Sequence, residues 1–136
     1  MKRIFADTSY WIALLNPHDE LHGRAVVLAQ SCSDDQIVTT EMILTELLNG
    51  FSDRGPCLRA AALKAVNTLR SSPNVTVIPQ TSDQFQRALT RYEARIDKDW
   101  SLTDCASFLI MEAEGIEVAL THDQHFAQAG FQALLR

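Results

Sequence analysis

The stretch Ile4-Phe5-Ala6-Asp7-Thr8-Ser9-Tyr10-Trp11-Ile12-Ala13-Leu14-Leu15 decides how the rest of the chain is read. A short apolar run, Ile4 to Ala6, meets an acid and two hydroxyl residues, and a compact apolar helix then runs to Leu15. This is a strand that stops at a carboxylate and turns directly into a helix. The same alternation recurs downstream. Leu21, Ala25, Leu28, Ala29 and Cys32 fall at helical spacing. Gln36–Thr39 reads as a second strand, with Thr40 positioned to cap a helix reaching about Phe51. Gly55-Pro56 marks a loop, followed by a helical stripe through Leu58, Ala62, Ala65 and Leu69.

Val75–Ile78 reads as a third strand closed by Pro79. The next helix carries Phe85, Ala88, Leu89 and Tyr92 on one face. After the polar loop Asp97-Lys98-Asp99, Ser101 opens a helix bearing Leu102, Cys105, Ala106, Leu109, Ile110 and Ala113, and Gly115 stops it. Glu117–Leu120 is a fourth strand, Asp123–Ala127 a short helix, and Phe131–Leu134 an edge strand. Strands alternating with helices imply βαβ crossovers and a mainly parallel sheet covered on both faces.

The 136 residues, 46% hydrophobic and 21% charged, describe one ordinary globular domain spanning 1–136. The longest early apolar stretch, Tyr10–Leu15, is broken by Asn16 and Pro17, far short of a membrane span. Lys2 and Arg3 are followed by Asp7 before any signal-like apolar segment forms, so the chain is read as cytoplasmic. Cys32, Cys57 and Cys105 match no zinc or redox spacing and fit reduced thiols. A net charge of −5 argues against bulk electrostatic coating of nucleic acid. It leaves room for a nuclease, because a metal site contributes negative charge that bound ions reverse.

In open parallel sheets, ligands bind beyond the carboxyl ends of the strands. Asp7 follows the first strand and Asp123 follows the fourth by two residues. Glu46 lies on the helix leaving the second strand, and Asp104 in the first turn of the helix entering the fourth. Four acids from separate segments are thus expected at one rim. Each also has a plainer role open to it. Asp7 and Asp123 sit where helix N-caps belong, and Asp104 is three residues after Ser101, as in a capping box. Glu46, in the apolar helix Met42-Ile43-Leu44-Thr45-Glu46-Leu47-Leu48, is expected to leave bulk water, which calls for a cation, a proton or an Arg partner.

Clustered carboxylates repel unless a positive ion sits among them, and Mg2+ or Mn2+ suits oxygen donors. His18 and His22 have i, i+4 spacing but no third ligand, and read as surface residues. His122 and His125 flank Asp123 and read as plain loop residues, with contact to a substrate as the alternative. Arg87, Arg91 and Arg95 recur every four residues and form either an RNA-gripping basic ridge or a solvated face in which Asp83 pairs with Arg87. Asp99, five residues before Asp104, is a further loop acid near the site. Cys105 lacks an obvious base and is read as core.

Asp7-Thr8-Ser9 after a first strand, Thr45-Glu46-Leu47 in an apolar helix, Ser101-Leu102-Thr103-Asp104, and Thr121-His122-Asp123 followed by Phe126 together resemble the PIN-domain nucleases, above all the VapC-type toxins of toxin–antitoxin pairs. The resemblance covers essentially the whole chain. It implies a three-layer α/β/α sandwich and Mg2+- or Mn2+-dependent endoribonuclease activity, leaving a 5′-phosphate and a 3′-hydroxyl. It assigns Asp7, Glu46, Asp104 and Asp123 as catalytic metal ligands, with Thr8, Ser9 and Thr121 as supporting hydroxyls. It also implies an RNA substrate, a small antitoxin partner that blocks the cleft, and a homodimer. A housekeeping RNA-processing nuclease shares these features. A phosphoacceptor receiver would require a Lys after the last strand, where this chain has His122 and Asp123. A non-catalytic interaction module would use the acids only as caps.

Overall fold

Four parallel pairings define the sheet. Among residues 2–136, which the computed structural model describes, the elements run β1 (Arg3–Ala6), α1 (Thr8–Leu15), α2 (His22–Ser31), β2 (Gln36–Thr40), α3 (Glu41–Phe51), α4 (Pro56–Ser71), β3 (Val75–Ile78), α5 (Ser82–Ala94), α6 (Leu102–Glu114), β4 (Val118–Leu120), α7 (Gln124–Gln128) and β5 (Gln132–Ala133). The strand order is β3-β2-β1-β4-β5, and every neighbouring pair is parallel. Helices α1 to α4 pack on one another, and α5, α6 and α7 form a second packed group. The sheet lies between them as the middle layer of an α/β/α sandwich. Strands β1 and β2 are buried along nearly their whole length, as a sheet covered on both faces requires.

The strand order reverses between β1 and β4. From β1 the chain moves outward through β2 to β3, and it returns to the other side of β1 for β4 and β5. A crevice opens at such a switch point, beyond the carboxyl ends of the two central strands. The register there pairs Ala6 with Leu120, so Asp7 and Thr121 leave the sheet side by side, with the Asp7 N–H bonded to the Leu120 carbonyl at 3.1 Å.

Caps and aromatic packing fix the elements around that crevice. Thr40 accepts from the Ile43 N–H at 3.1 Å and starts α3. Gly115, at φ 68°, ends α6 in the left-handed conformation that glycine adopts without strain. Phe5 of β1, Phe108 of α6 and Phe126 of α7 are fully buried. The Phe108 and Phe126 rings meet edge-to-face at 4.9 Å, and Phe108 does the same with Trp100 at 5.0 Å. Trp100 Nε1 also donates to Gln128 Oε1 at 3.1 Å, tying the start of α6 to the end of α7.

The apolar stripe of helix α5 is largely uncovered. Only Ala88 is buried, while Phe85, Leu89 and Tyr92 are 41%, 38% and 53% exposed, and Ile96 beyond the helix is 91% exposed. Spacing identifies an amphipathic face but not what covers it, and here the described residues leave it open. No helix among the described residues is long and apolar enough to cross a membrane.

Candidate active site

Asp7 occupies the N-cap position of α1, yet its side chain makes no capping bond. The residue is instead 5% exposed, and its carboxylate accepts on Oδ2 from Thr121 Oγ1 at 2.8 Å and from Ser9 Oγ at 3.3 Å. Burial pushes the Asp7 pKa up from 3.8 to about 7, helped by the charges of Asp104 and Asp123, against the lowering effect of the Thr121 hydroxyl and the Thr8 N–H. Asp7 is thus close enough to both other aspartates to feel their charge.

Asp104 and Asp123 keep their plainer roles while joining the cluster. Asp104 completes a capping box with Ser101: its N–H donates to Ser101 Oγ at 3.0 Å, and its Oδ2 accepts from the Ser101 N–H at 3.1 Å. Asp123 caps α7 by accepting from the His125 N–H on Oδ1 at 2.9 Å. A carboxylate oxygen of Asp104, one of Asp123 and a ring nitrogen of His125 lie within 4.8 Å of one another. Burial raises the Asp104 pKa, as does Asp123, and the Ser101 N–H and His125 oppose it.

Glu46 stands beside this group. It is half-buried, on a helix that also carries the buried Met42, Ile43, Leu44 and Leu47. Its Oε1 accepts from Thr8 Oγ1 at 2.7 Å, and no ion pair to Glu46 occurs among the described residues. Thr8 and Ser9 therefore serve different acids, Thr8 holding Glu46 and Ser9 holding Asp7. Thr121, fully buried, links the β1–α1 and β4–α7 junctions: it donates to Asp7, accepts from the Asp123 N–H at 3.0 Å, and lies 3.2 Å from Ser9 Oγ.

The donors fall on the acids in a consistent way. Asp104 takes its bonds on Oδ2, Asp123 on Oδ1 and Glu46 on Oε1. Among the described residues, no hydrogen bond reaches their other oxygens, and none of those oxygens is sealed from solvent, since the sealed, partnerless side-chain atoms are Gln84 Oε1 and Ser107 Oγ. Crowded carboxylates, each fixed by one oxygen and open at the other, fit a hard divalent cation.

His125, which the sequence offers only as a residue near Asp123, joins the acids directly. Its Nδ1 lies 2.9 Å from Asp104 Oδ2 and 3.2 Å from Asp123 Oδ1. His122, in contrast, is exposed and bonds the Leu135 carbonyl at 3.1 Å. His18 is exposed, and His22 bonds the Ala13 carbonyl at 2.8 Å. Asp99 is exposed in the loop before Trp100. Each arginine of the α5 series has a carboxylate partner: Arg87 with Asp83 at 3.0 Å, Arg91 in a two-pronged pair with Glu112 at 3.0 Å, and Arg95, just past the helix, with Asp97 at 3.1 Å. Cys105 is fully buried, and burial pushes its thiol pKa up, the reverse of what a nucleophile needs.

The PIN domain family model matches residues 4–132. The chain belongs to the PIN domain family, and its similarity within that family is to the VapC type. It is 34% identical over 128 residues to the 23S rRNA-specific endonuclease VapC20 of Mycobacterium tuberculosis, covering 94% of this chain and 95% of that protein. The crystal structure of M. tuberculosis VapC20, a sarcin-ricin loop cleaving toxin, matches with a TM-score of 0.83 and 30% identity over 94% of this chain and 95% of that one. FitAcB from Neisseria gonorrhoeae, at 15% identity with a TM-score of 0.66 over 96% of this chain and 95% of that one, shares the fold. PIN domains are metal-dependent nucleases, the chemistry for which the open carboxylate oxygens are suited.

Proposed function

We propose that this chain is an endoribonuclease working as one domain over residues 1–136, the toxin member of a toxin–antitoxin pair. The observation that carries the reading is the partition of carboxylate oxygens at the β1/β4 switch point. Asp7, Asp104, Asp123 and Glu46 would hold Mg2+ or Mn2+. When bound, the ion supplies charge neutralisation at the scissile phosphate and acidifies water for in-line attack.

The remaining contributions come from the chain itself. Thr121 and Ser9 hold Asp7 Oδ2, Ser101 and His125 hold Asp104 Oδ2, and Thr8 holds Glu46 Oε1. These bonds keep the acids oriented without consuming the oxygens that face the cleft. Burial of Asp7 and Asp104 excludes water around them and strengthens their interaction with any cation. No side-chain nucleophile is required.

RNA is the proposed substrate, and the large-subunit rRNA loop cut by the M. tuberculosis relative is the first target to try. A small antitoxin protein that covers the cleft and a second copy of this chain are the proposed protein partners. The test is incubation of total RNA with Mg2+, with Mn2+ or with chelator, followed by mapping of fragment ends. Discrete cuts bearing 5′-phosphates that vanish with chelator support the reading. RNA left intact under every metal condition by folded protein overturns it.

A further inference from the structure

His125 is placed where a single ring nitrogen touches two of the acids. Its side chain is 20% exposed, and Nδ1 meets Asp104 Oδ2 at 2.9 Å and Asp123 Oδ1 at 3.2 Å. Ionised carboxylate oxygens only accept, so Nδ1 carries the proton and shares it between them. We propose that His125 is a positioning residue: by gathering Asp104 Oδ2 and Asp123 Oδ1 onto one N–H, it fixes both carboxylates so that their other oxygens face the cation-binding cleft. This rests on the metal-dependent reading above.

The surroundings of the ring are built for such a task. Phe126, the next residue, is fully buried and packs edge-to-face on Phe108, which shares α6 with Asp104. The backbone carrying His125 is therefore fixed relative to the helix carrying Asp104, although 21 residues separate the two. The His125 backbone N–H also donates to Asp123 Oδ1, so that oxygen is held twice and Asp123 Oδ2 is left without a hydrogen bond. Without the ring donor, each acid keeps only its own backbone bond, nothing offsets the repulsion between the two, and a cation must restore their mutual alignment when it binds. Donors behind metal-binding groups matter in this way, and their loss weakens binding about 10- to 100-fold.

The arrangement names its own test. Asn places its side-chain N–H2 where the histidine Nδ1–H stands, two bonds from Cβ, whereas Gln places it one bond further out. All variants keep the backbone cap on Asp123. His125→Ala, His125→Gln and His125→Asn are compared in the full chain for Mn2+ binding without RNA, by the paramagnetic signal of free Mn2+, and for kcat and KM against RNA at several metal concentrations. The expected result is Mn2+ binding weakened about 10-fold or more in the Ala and Gln variants and largely regained in the Asn variant. The KM for RNA stays unchanged, and kcat recovers at high metal.

Binding as in the unmodified protein for all three variants overturns the proposal. So does an Asn variant as weak as the Ala variant, which makes the ring a cation ligand instead. If His125→Ala does not fold, the Gln–Asn contrast decides alone. Absence of Mn2+ binding in the unmodified protein overturns the metal-dependent reading and this proposal with it, whereas normal binding that ignores residue 125 overturns only the latter.

Discussion

Thr121 and Asp7, 114 residues apart in the chain, share a 2.8 Å hydrogen bond at the carboxyl ends of the two central strands. The Ala6–Leu120 register places them side by side, and the bond is the strongest restraint on the most buried acid of the site. The hydroxyl has one proton, committed to Asp7, so towards Ser9 it can only accept, and the single Ser9 O–H is shared between Thr121 and Asp7. Thr121→Val keeps the shape and removes the donor. The variant is expected to fold, to lose about 10- to 100-fold in kcat at moderate Mg2+, and to need more Mg2+ for half-maximal cleavage. A Mg2+ titration of cleavage checks this, and a curve superimposable on that of the unmodified protein would show the hydroxyl to be idle.

Asp7 itself links charge to stability. Its pKa, about 7 in the folded chain against 3.8 ordinarily, means that the folded state holds the proton more tightly than the unfolded state does. The resulting stabilisation is fully present below about pH 4 and is lost as the pH rises through about 7. In chelator, the melting temperature of the unmodified protein should fall across that window, and Mg2+ should restore it at pH 7 and above. Asp7→Asn should abolish cleavage, flatten this part of the pH profile and melt higher than the unmodified protein in chelator at pH 8. Thermal melts from pH 4 to 8, with and without Mg2+, decide the matter. Metal-dependent cleavage at full rate by Asp7→Asn would remove Asp7 from the site.

Glu46 should behave differently because of where it sits. It is half-buried and joins the site through Thr8, outside the Asp104–Asp123–His125 group. Glu46→Gln keeps an oxygen that can accept from Thr8, so stability should change by less than about 0.5 kcal/mol. Cleavage should fall, but should retain more residual rate than in Asp7→Asn. Parallel rate measurements on the two variants at saturating Mg2+ test this ranking, and equal inactivation would place Glu46 among the central ligands.

The α5 arginines give a prediction about RNA. Arg87 and Asp83 form an exposed i, i+4 pair at 3.0 Å, which is worth little to stability. Arg87→Ala should therefore leave the melting temperature nearly unchanged. If the arginines grip phosphates, their existing carboxylate pairs must open first, and each removed contact should reduce the salt slope of RNA binding by about 1. RNA affinity measured across a salt series for Arg87→Glu and Arg95→Glu tests the ridge. A slope equal to that of the unmodified protein ends it.

Much of this architecture is legible in the sequence because it depends on local signals. Val75–Ile78 shows as a β-branched run closed by Pro79, Thr40 caps α3, and Gly115 ends α6, all near where spacing places them. The rim position of Asp7, Asp104 and Asp123 follows from strand–helix alternation, which fixes the end of the sheet at which each loop emerges. The role of His125 does not follow, because the side chain that gives its ring a purpose lies 21 residues upstream. Local cues are likewise silent on α5. Its periodicity reveals an apolar face, but whether the chain covers it is decided by packing between distant segments.

That uncovered face carries the prediction about assembly. Phe85, Leu89, Tyr92 and Ile96, 38% to 91% exposed, recur at helical spacing along α5 and just beyond it. Exposed apolar side chains gathered along one face are candidates for contact with another molecule, and a stable pair of subunits covers about 800 Å² on each. A second copy seated on this stripe is the proposed occupant. The unmodified chain should sediment as a dimer, and Leu89→Asp together with Tyr92→Asp should yield a folded monomer at the same concentration with its Mn2+ binding intact. Neither substitution touches the acids, so lost metal binding would indicate misfolding rather than dissociation. A monomeric unmodified protein, or a dimer indifferent to both charges, would show that the stripe does not join two copies.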